Sequence, residues 1–363
     1  MITDKERVLV IGAQGYLGTF LMGLLRDYGY QCQGIDTGFF KHGIISDISA
    51  DQEIIKKDVR SLDEKDIIGF DVCIQLAAVS NDPLGNISES DVYDPTRDYA
   101  LKIAHICKKF GVRYIFPSSC SVYGAAKGLG ALTENSQTNP QTGYSLNKLQ
   151  IEEDLSKISD SSFAPIALRF GTVFGMSPRI RFDLVINMLC GMALTTNKVI
   201  LNSDGQAWRP HLDIRDACEA IRCCIEYGKK FSGLTILNVG RNDNNLRIID
   251  LANIIIDIIP GTSLEFLNNE EKNEVDDLIK DRKIQDGVDS RTYKVSFDKI
   301  LIELPEFECQ WTVRSGINHL IEELKKANLT EEIFKQRDFY RLQQIEYLYN
   351  SHLLDKHLFW QKH

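Results

Sequence analysis

The segment Val8-Leu9-Val10-Ile11-Gly12-Ala13-Gln14-Gly15-Tyr16-Leu17-Gly18 restricts the fold more than any other stretch of the chain. Four consecutive apolar residues read as a strand buried on both faces, as in the middle of a parallel sheet. Three evenly spaced glycines follow, and Leu17, Phe20, Leu21, Leu24 and Leu25 then predict a helix over Tyr16–Tyr28. Glycine tolerates positive φ and allows close backbone approach. A helix opening behind it presents N–H groups and the positive end of its dipole to an anion, the arrangement that holds a dinucleotide diphosphate.

A second strand, Gln31–Ile35, ends at Asp36, eighteen residues after Gly18. An acid at that distance binds the ribose hydroxyls. Its carboxylate accepts from the 2′-OH of NAD and repels the 2′-phosphate of NADP, so NAD is the expected cofactor. Lys41 and His42 lie beyond the position of a phosphate partner.

Further strands are predicted at Val72–Leu76, Tyr114–Phe116 and Ile166–Phe170, with helices at Asp94–Phe110 and Tyr144–Ile158 between them. This alternation predicts an α/β fold, a Rossmann-type doubly wound parallel sheet with a smaller C-terminal substrate-binding cap. The rhythm changes after Gly175, where long polar connections appear at Leu201–Arg209 and Leu267–Asp289. Residues 1–175 are therefore expected to form the NAD-binding domain and carry the catalytic residues. Residues 176–325 are expected to be mainly cap, with some segments returning to the first domain, and 326–363 a helical extension. In that extension Phe334, Phe339, Leu342, Ile345, Leu348 and Tyr349 recur at roughly helical spacing, followed by Leu358-Phe359-Trp360. Such a face suits either a helix packed on the body or an oligomer contact.

Composition narrows the partners. A net charge of -9 over 363 residues argues against a nucleic acid or an anionic membrane as main partner. The nine cysteines include no CxxC pair, which disfavours a zinc site or disulfide framework and predicts reduced thiols; no metal is expected. The charged start, Met1 to Arg7, does not read as a signal peptide. The apolar run Ile248–Ile259 is broken by Asp250, Asn253 and Asp257 and is too short to span a bilayer. A cytoplasmic location is expected.

Tyr144 and Lys148 stand four apart, on one face of the predicted helix. A phenol is a poor base at neutral pH, and a neighbouring ammonium favours the phenolate. Upstream, Phe116-Pro117-Ser118-Ser119-Cys120-Ser121-Val122-Tyr123-Gly124 follows a strand and supplies hydroxyls.

With these motifs together, the chain resembles the extended short-chain dehydrogenase/reductases, specifically the NAD-dependent sugar-nucleotide epimerase/dehydratase family. The likeness runs from about Arg7 to Leu324. It includes Asp58-Val59, Leu76-Ala77-Ala78, Arg169 to Gly175, Trp208 to Asp213 and Asp289 to Tyr293. It implies that Gly12, Gly15, Tyr16, Leu17, Gly18, Asp36 and Phe170 help to hold NAD. Asp58 and Val59 would contact adenine, and Leu76, Ala77 and Ala78 would line the middle of the cofactor. Ser119 and Tyr144 would be catalytic, with Lys148 binding the nicotinamide ribose and tuning Tyr144. Arg209 and Arg291 would hold the diphosphate of a nucleotide-sugar substrate, with Ser121, Thr172, Arg179 and Arg181 as further substrate-side candidates. Two subunits would pair through the helices Asp94–Phe110 and Tyr144–Ile158 into a homodimer.

Oxidation of a sugar at C4 gives a 4-keto intermediate, and the extra acids and bases decide its fate. Dehydrating and decarboxylating relatives carry Asp or Glu in the two positions after the catalytic Ser or Thr; here these are Cys120 and Ser121. Hydride return to the opposite face, a C4 epimerisation, is then the simplest outcome. Cys120 leaves 3- or 5-epimerisation open if its thiol acts as acid and base, and is otherwise a small buried filler. A 4-keto-sugar reductase and a non-catalytic NAD-binding protein are the alternatives from other classes. Thr96 and Thr172 replace asparagines found in many relatives, which points to a less common substrate than UDP-glucose.

Overall fold

Strand β1 (Arg7–Ile11) became the centre of the sheet because both of its faces are apolar: Val8, Leu9 and Val10 are fully buried. In this computed structural model the described residues are 5–46, 54–80, 89–125, 130–267 and 291–361, with backbone alone for 89–92. Most of the predicted connection Leu267–Asp289, together with Asp289 and Ser290, lies outside them.

From β1 the chain passes through α1 (Tyr16–Asp27), β2 (Gln31–Asp36), β3 (Ile54–Lys56), α2 (Glu64–Ile67) and β4 (Val72–Gln75). It continues through α3 (Glu89–Phe110), β5 (Arg113–Ser119), α4 (Gly143–Ile158) and β6 (Ile166–Phe170). Next come β7 (Thr172–Phe174), α5 (Val185–Thr196), β8 (Lys198–Leu201), β9 (Trp208–Asp213) and α6 (Ile214–Tyr227). Then follow β10 (Thr235–Val239), β11 (Asn245–Arg247), α7 (Ile248–Ile258) and β12 (Ser263–Phe266).

The main sheet has the order β10-β6-β5-β4-β1-β2-β3, with every neighbouring pair parallel. Strand order reverses between β1 and β4, so a crevice opens there beyond the C-terminal ends of the strands. Alternation along β1 divides the core. Val8 and Val10 pack with Leu21 and Leu25 of α1 and with α6, whereas Leu9 and Ile11 face Ala100 and Ile103 of α3 and Ile151 and Leu155 of α4.

Beyond Gly175 the chain builds a three-stranded sheet, β11-β9-β7, and a two-stranded one, β12-β8. It also returns to the main sheet: β10 pairs with β6 from Thr235↔Ile166 to Val239↔Phe170. No helix among the described residues is long and apolar enough to cross a membrane.

The C-terminal extension lies on the body of its own chain. The Phe334 and Phe339 rings pack against Phe182 at 4.9 and 5.5 Å, and Phe182 N–H donates to Phe339 O at 3.1 Å. A helix at Arg341–Asn350 buries Leu342, Ile345 and Leu348 against Phe39, Tyr93 and Leu358. Tyr349, at the end of the predicted face, is only half-buried.

Candidate active site

The crevice holds two adjoining cavities of about 840 and 1260 Å³ that share Gly12, Gly15, Phe40, Leu76, Ala78 and Val79. Gly12 turns the chain at φ +92°, and a Cβ there would lie 2.6 Å from Ala77 N. At Gly18 a Cβ would lie 2.1 Å from Gly12 O, so α1 reaches the turn only with glycine at that point. Helix α1 opens at Gly15 with no side-chain cap, leaving its N-terminus to face the crevice.

The first cavity suits an adenosine. Asp36 sits in its wall at the end of β2, its carboxylate accepting from Gln14 N–H (2.9 Å) and Gly38 N–H (2.7 Å). Burial raises its pKa and these two hydrogen bonds oppose the rise. Lys41 and His42 are exposed. Asp58 and Val59 form a second wall, where Asp58 accepts from Arg60 N–H at 2.9 Å and pairs with its guanidinium at 2.5 Å. Leu76, Ala77 and Ala78 form a third, backed by Tyr99, whose hydroxyl donates to Ala77 O at 3.0 Å. Thr96, also in the wall, is 3.1 Å from the same hydroxyl. An acid at the ribose position, apolar slabs for a base and an uncapped helix end between the cavities fit a dinucleotide such as NAD.

The second cavity brings together Tyr16, Leu17, Gly18, Ser119, Ser121, Tyr144, Lys148, Phe170, Thr172 and Arg181. The Tyr16 hydroxyl reaches Gly175 O at 2.7 Å and ties the glycine loop to the far side of the crevice. Ser119 ends β5, and its Oγ accepts from Ser121 N–H at 3.1 Å. Ser121 Oγ is buried and has no hydrogen-bond partner among the described residues. Helix α4 begins at a capping box between Thr142 and Ser145, which sets the helix phase that turns Tyr144 and Lys148 to the cavity. Lys148 Nζ lies 5.7 Å from the Tyr144 ring centroid and donates to Pro117 O at 2.7 Å. Burial pushes this ammonium down to about 8, against the opposing pull of Glu152.

Several candidates stand elsewhere. Cys120 is a correction: the short turn after β5 points its thiol into the core, where it donates to Arg169 O at 3.2 Å. Burial raises that thiol far above its ordinary range, and Cys120 lies outside the lining of both cavities, placed as the small buried filler. Arg179 is a second correction. It is fully buried as a strut between Thr19 Oγ (3.0 Å) and Lys41 O (3.3 Å), outside the set of residues lining either cavity. Arg181 does line the cavity, paired with Asp183 at 2.9 Å and donating to Ser80 Oγ at 2.7 Å. Arg209 and Arg291 lie outside the lining set; Arg209 donates to Trp208 O at 2.9 Å and stands over Tyr293.

Sequence reasoning missed two groups. Beneath the site, Glu152 accepts from Ser118 Oγ (2.5 Å) and Arg169 Nη2 (2.6 Å), and Arg169 Nη1 donates to the Tyr123 hydroxyl (2.9 Å). That hydroxyl donates to Asn238 Oδ1 (2.8 Å), so the network joins α4, β5, β6 and β10. From the extension, Arg341 lines the second cavity and His357 and Leu358 the first. The signal was present at Arg341: it shares a helical face with Ile345 and Leu348, a cation on an otherwise apolar stripe.

Comparison with known proteins agrees with this geometry. The model of the NAD dependent epimerase/dehydratase family matches residues 8–240. The bifunctional polymyxin resistance protein ArnA of Wigglesworthia glossinidia brevipalpis is 26% identical over 281 residues, 70% of this chain. The match spans only 42% of that longer protein. Among solved structures, TunA, an NAD-dependent NDP-hexosamine 5,6-dehydratase of tunicamycin biosynthesis, superposes with a TM-score of 0.73 at 18% identity, covering 89% of this chain and 98% of its own. The UDP-glucuronic acid 4-epimerase of Bacillus cereus, in complex with UDP-glucuronic acid and NAD, gives 0.72 at 22% identity, covering 88% and 99%. The chain belongs to the NAD-dependent epimerase/dehydratase family, and NAD is its cofactor.

Proposed function

We propose that the protein is an NAD-dependent epimerase of a nucleotide-activated sugar, acting by transient oxidation at C4. The wall of the second cavity carries this reading. Tyr144 and Lys148 line it beside Ser119, and among the described lining residues there is no Asp or Glu. Dehydration and decarboxylation draw on an added acid and base, whereas C4 epimerisation needs one group that takes a hydroxyl proton and returns it.

NAD, when bound, supplies the acceptor that takes the C4 hydride and gives it back. Tyr144 removes the C4 hydroxyl proton and later restores it. Lys148 favours the phenoxide that forms, and its burial keeps water from screening that charge. Ser119 Oγ, anchored by Ser121 N–H, holds the same sugar oxygen. Cys120 supplies no proton from its position in the core. Thr172 and Arg181 are assigned to the substrate, while Arg209 and Arg291 keep their diphosphate role on the family resemblance alone. We assign residues 176–325 mainly to the substrate cap. A homodimer through α3 and α4 is part of the proposal; the two helices pack together and Leu146 on α4 is 46% exposed.

The test is incubation with a panel of UDP-, ADP-, GDP- and thymidine-diphosphate sugars, with products read by mass and NMR. An unchanged mass with an inverted C4 stereocentre is expected. Loss of water or carbon dioxide, or stoichiometric consumption of NADH, overturns the assignment.

A further inference from the structure

The helix Arg341–Asn350 starts with a guanidinium on its buried face. Arg341 is 4% exposed, and its Nη1 has no hydrogen-bond partner among the described residues. A buried, unmatched charged donor is costly unless something supplies an acceptor. Its remaining contacts hold the group in place without satisfying it. The guanidinium stacks on Phe40 at 4.1 Å from the ring centroid, and Nη2 donates to Arg179 O at a long 3.4 Å. The backbone N–H is tied to Asp183 at 3.3 Å.

Charges of both signs act on it: Arg181 and Arg179 disfavour its proton, and Asp183 and Asp36 favour it. Burial, then Arg181, pushes the Arg341 guanidinium down to about 9. The guanidinium has a spare donor, and Arg341 lines the same cavity as Gly12, Gly15 and Leu17 of the uncapped N-terminus of α1.

We propose that Arg341 is a cofactor-binding residue, its guanidinium donating to the diphosphate of the dinucleotide opposite the N-terminus of α1. Planar guanidinium donors match paired phosphate oxygens, and the helix end supplies N–H groups from the other side. The extension thereby completes a site that the glycine loop begins. Its tail is fastened over the adenosine end: Trp360 Nε1 donates to Thr37 O at 2.7 Å, and Arg60 Nη2 donates to Leu358 O at 2.9 Å.

Titration of cofactor-stripped protein with ADP-ribose, adenosine and UDP tests this directly. Arg341→Gln is expected to weaken ADP-ribose about 10- to 100-fold, the worth of a charge-assisted hydrogen bond, and to leave adenosine and UDP unchanged. Equal weakening of adenosine and ADP-ribose means a structural role and overturns the proposal. Weakening of UDP alone moves the guanidinium to the substrate and also overturns it. Should the variant fail to fold, amide hydrogen exchange on the intact protein decides. Saturating ADP-ribose must protect residues 337–350 more than saturating adenosine does, and equal protection refutes the diphosphate contact. These readouts are independent of which sugar reaction the enzyme performs.

Discussion

Lys148 holds an ammonium in a place that disfavours its charge, 5% exposed and donating to the Pro117 carbonyl. The drop from 10.5 to about 8 is worth roughly 3 kcal/mol, and its sign is fixed by proton binding. Between pH 8 and 10.5 the unfolded chain holds this proton and the folded one does not, so stability gained from this group rises with pH through that window. Below pH 8 the penalty is complete. Lys148→Met, melted without cofactor, should therefore gain most over the parent at pH 7, with the gap closing by about pH 10. On the proposed mechanism the cation is needed, so kcat/KM should fall as pH rises through about 8, and Lys148→Arg should move that limb upward. Tyr144→Phe should abolish turnover and leave NAD bound, as read from the absorbance of nucleotide released on denaturation. These residues were legible because their motif is local, four positions on one helix. The direction of Cys120 was not, since it depends on a turn whose geometry is set by the strand before it.

At the level of elements, α4 is fixed to the sheet by a buried ion pair. Arg169 and Glu152 are 4% and 2% exposed at their side chains. Burial works against the guanidinium's charge, yet Glu152 holds its pKa above the ordinary arginine value. Replacing only the acid strands a buried cation, so Glu152→Gln should cost about 3 kcal/mol in denaturant unfolding. The same substitution takes the charge from the acceptor of Ser118 Oγ, next to Ser119 in sequence. Periodicity predicted the helices and most strands, because burial on one or two faces leaves a local pattern. It placed the start of α3 at Asp94; the helix begins at Glu89 and carries Pro95 inside it. It also missed β10 as a member of the main sheet. Thr235–Val239 is a short strand like others, and its partner, β6, lies some seventy residues earlier in sequence.

Over the whole molecule the extension acts as a clasp, and Phe334 is its latch. A Cβ at Gly191 of α5 would lie 2.3 Å from the Phe334 ring. Gly191→Ala should therefore cost about 1–3 kcal/mol by overpacking and make the extension the first segment cut in limited proteolysis. Light scattering at micromolar concentration should give a dimer mass, and a stable monomer would remove the α3–α4 pairing. The periodic apolar face of the extension was visible in sequence, but not what it covers. Its contacts with Phe39 and Phe182 join segments far apart in the chain, and no local pattern records such a pairing.

The late arrival of β10 has a consequence for dissecting the molecule. A fragment ending near Gly175 would keep the glycine loop, Asp36, Tyr144 and Lys148, and would still be missing the strand that pairs with β6. The backbone groups of Ile166–Phe170 would then form an open edge, a template for joining another copy edge to edge. The fragment would also lose α6, which packs on α1 and shares a core cluster with Val8 and Val10. The nucleotide-binding half is thus continuous in space and interrupted in sequence, and it cannot be excised or exchanged as a cassette without carrying the chain through Val239.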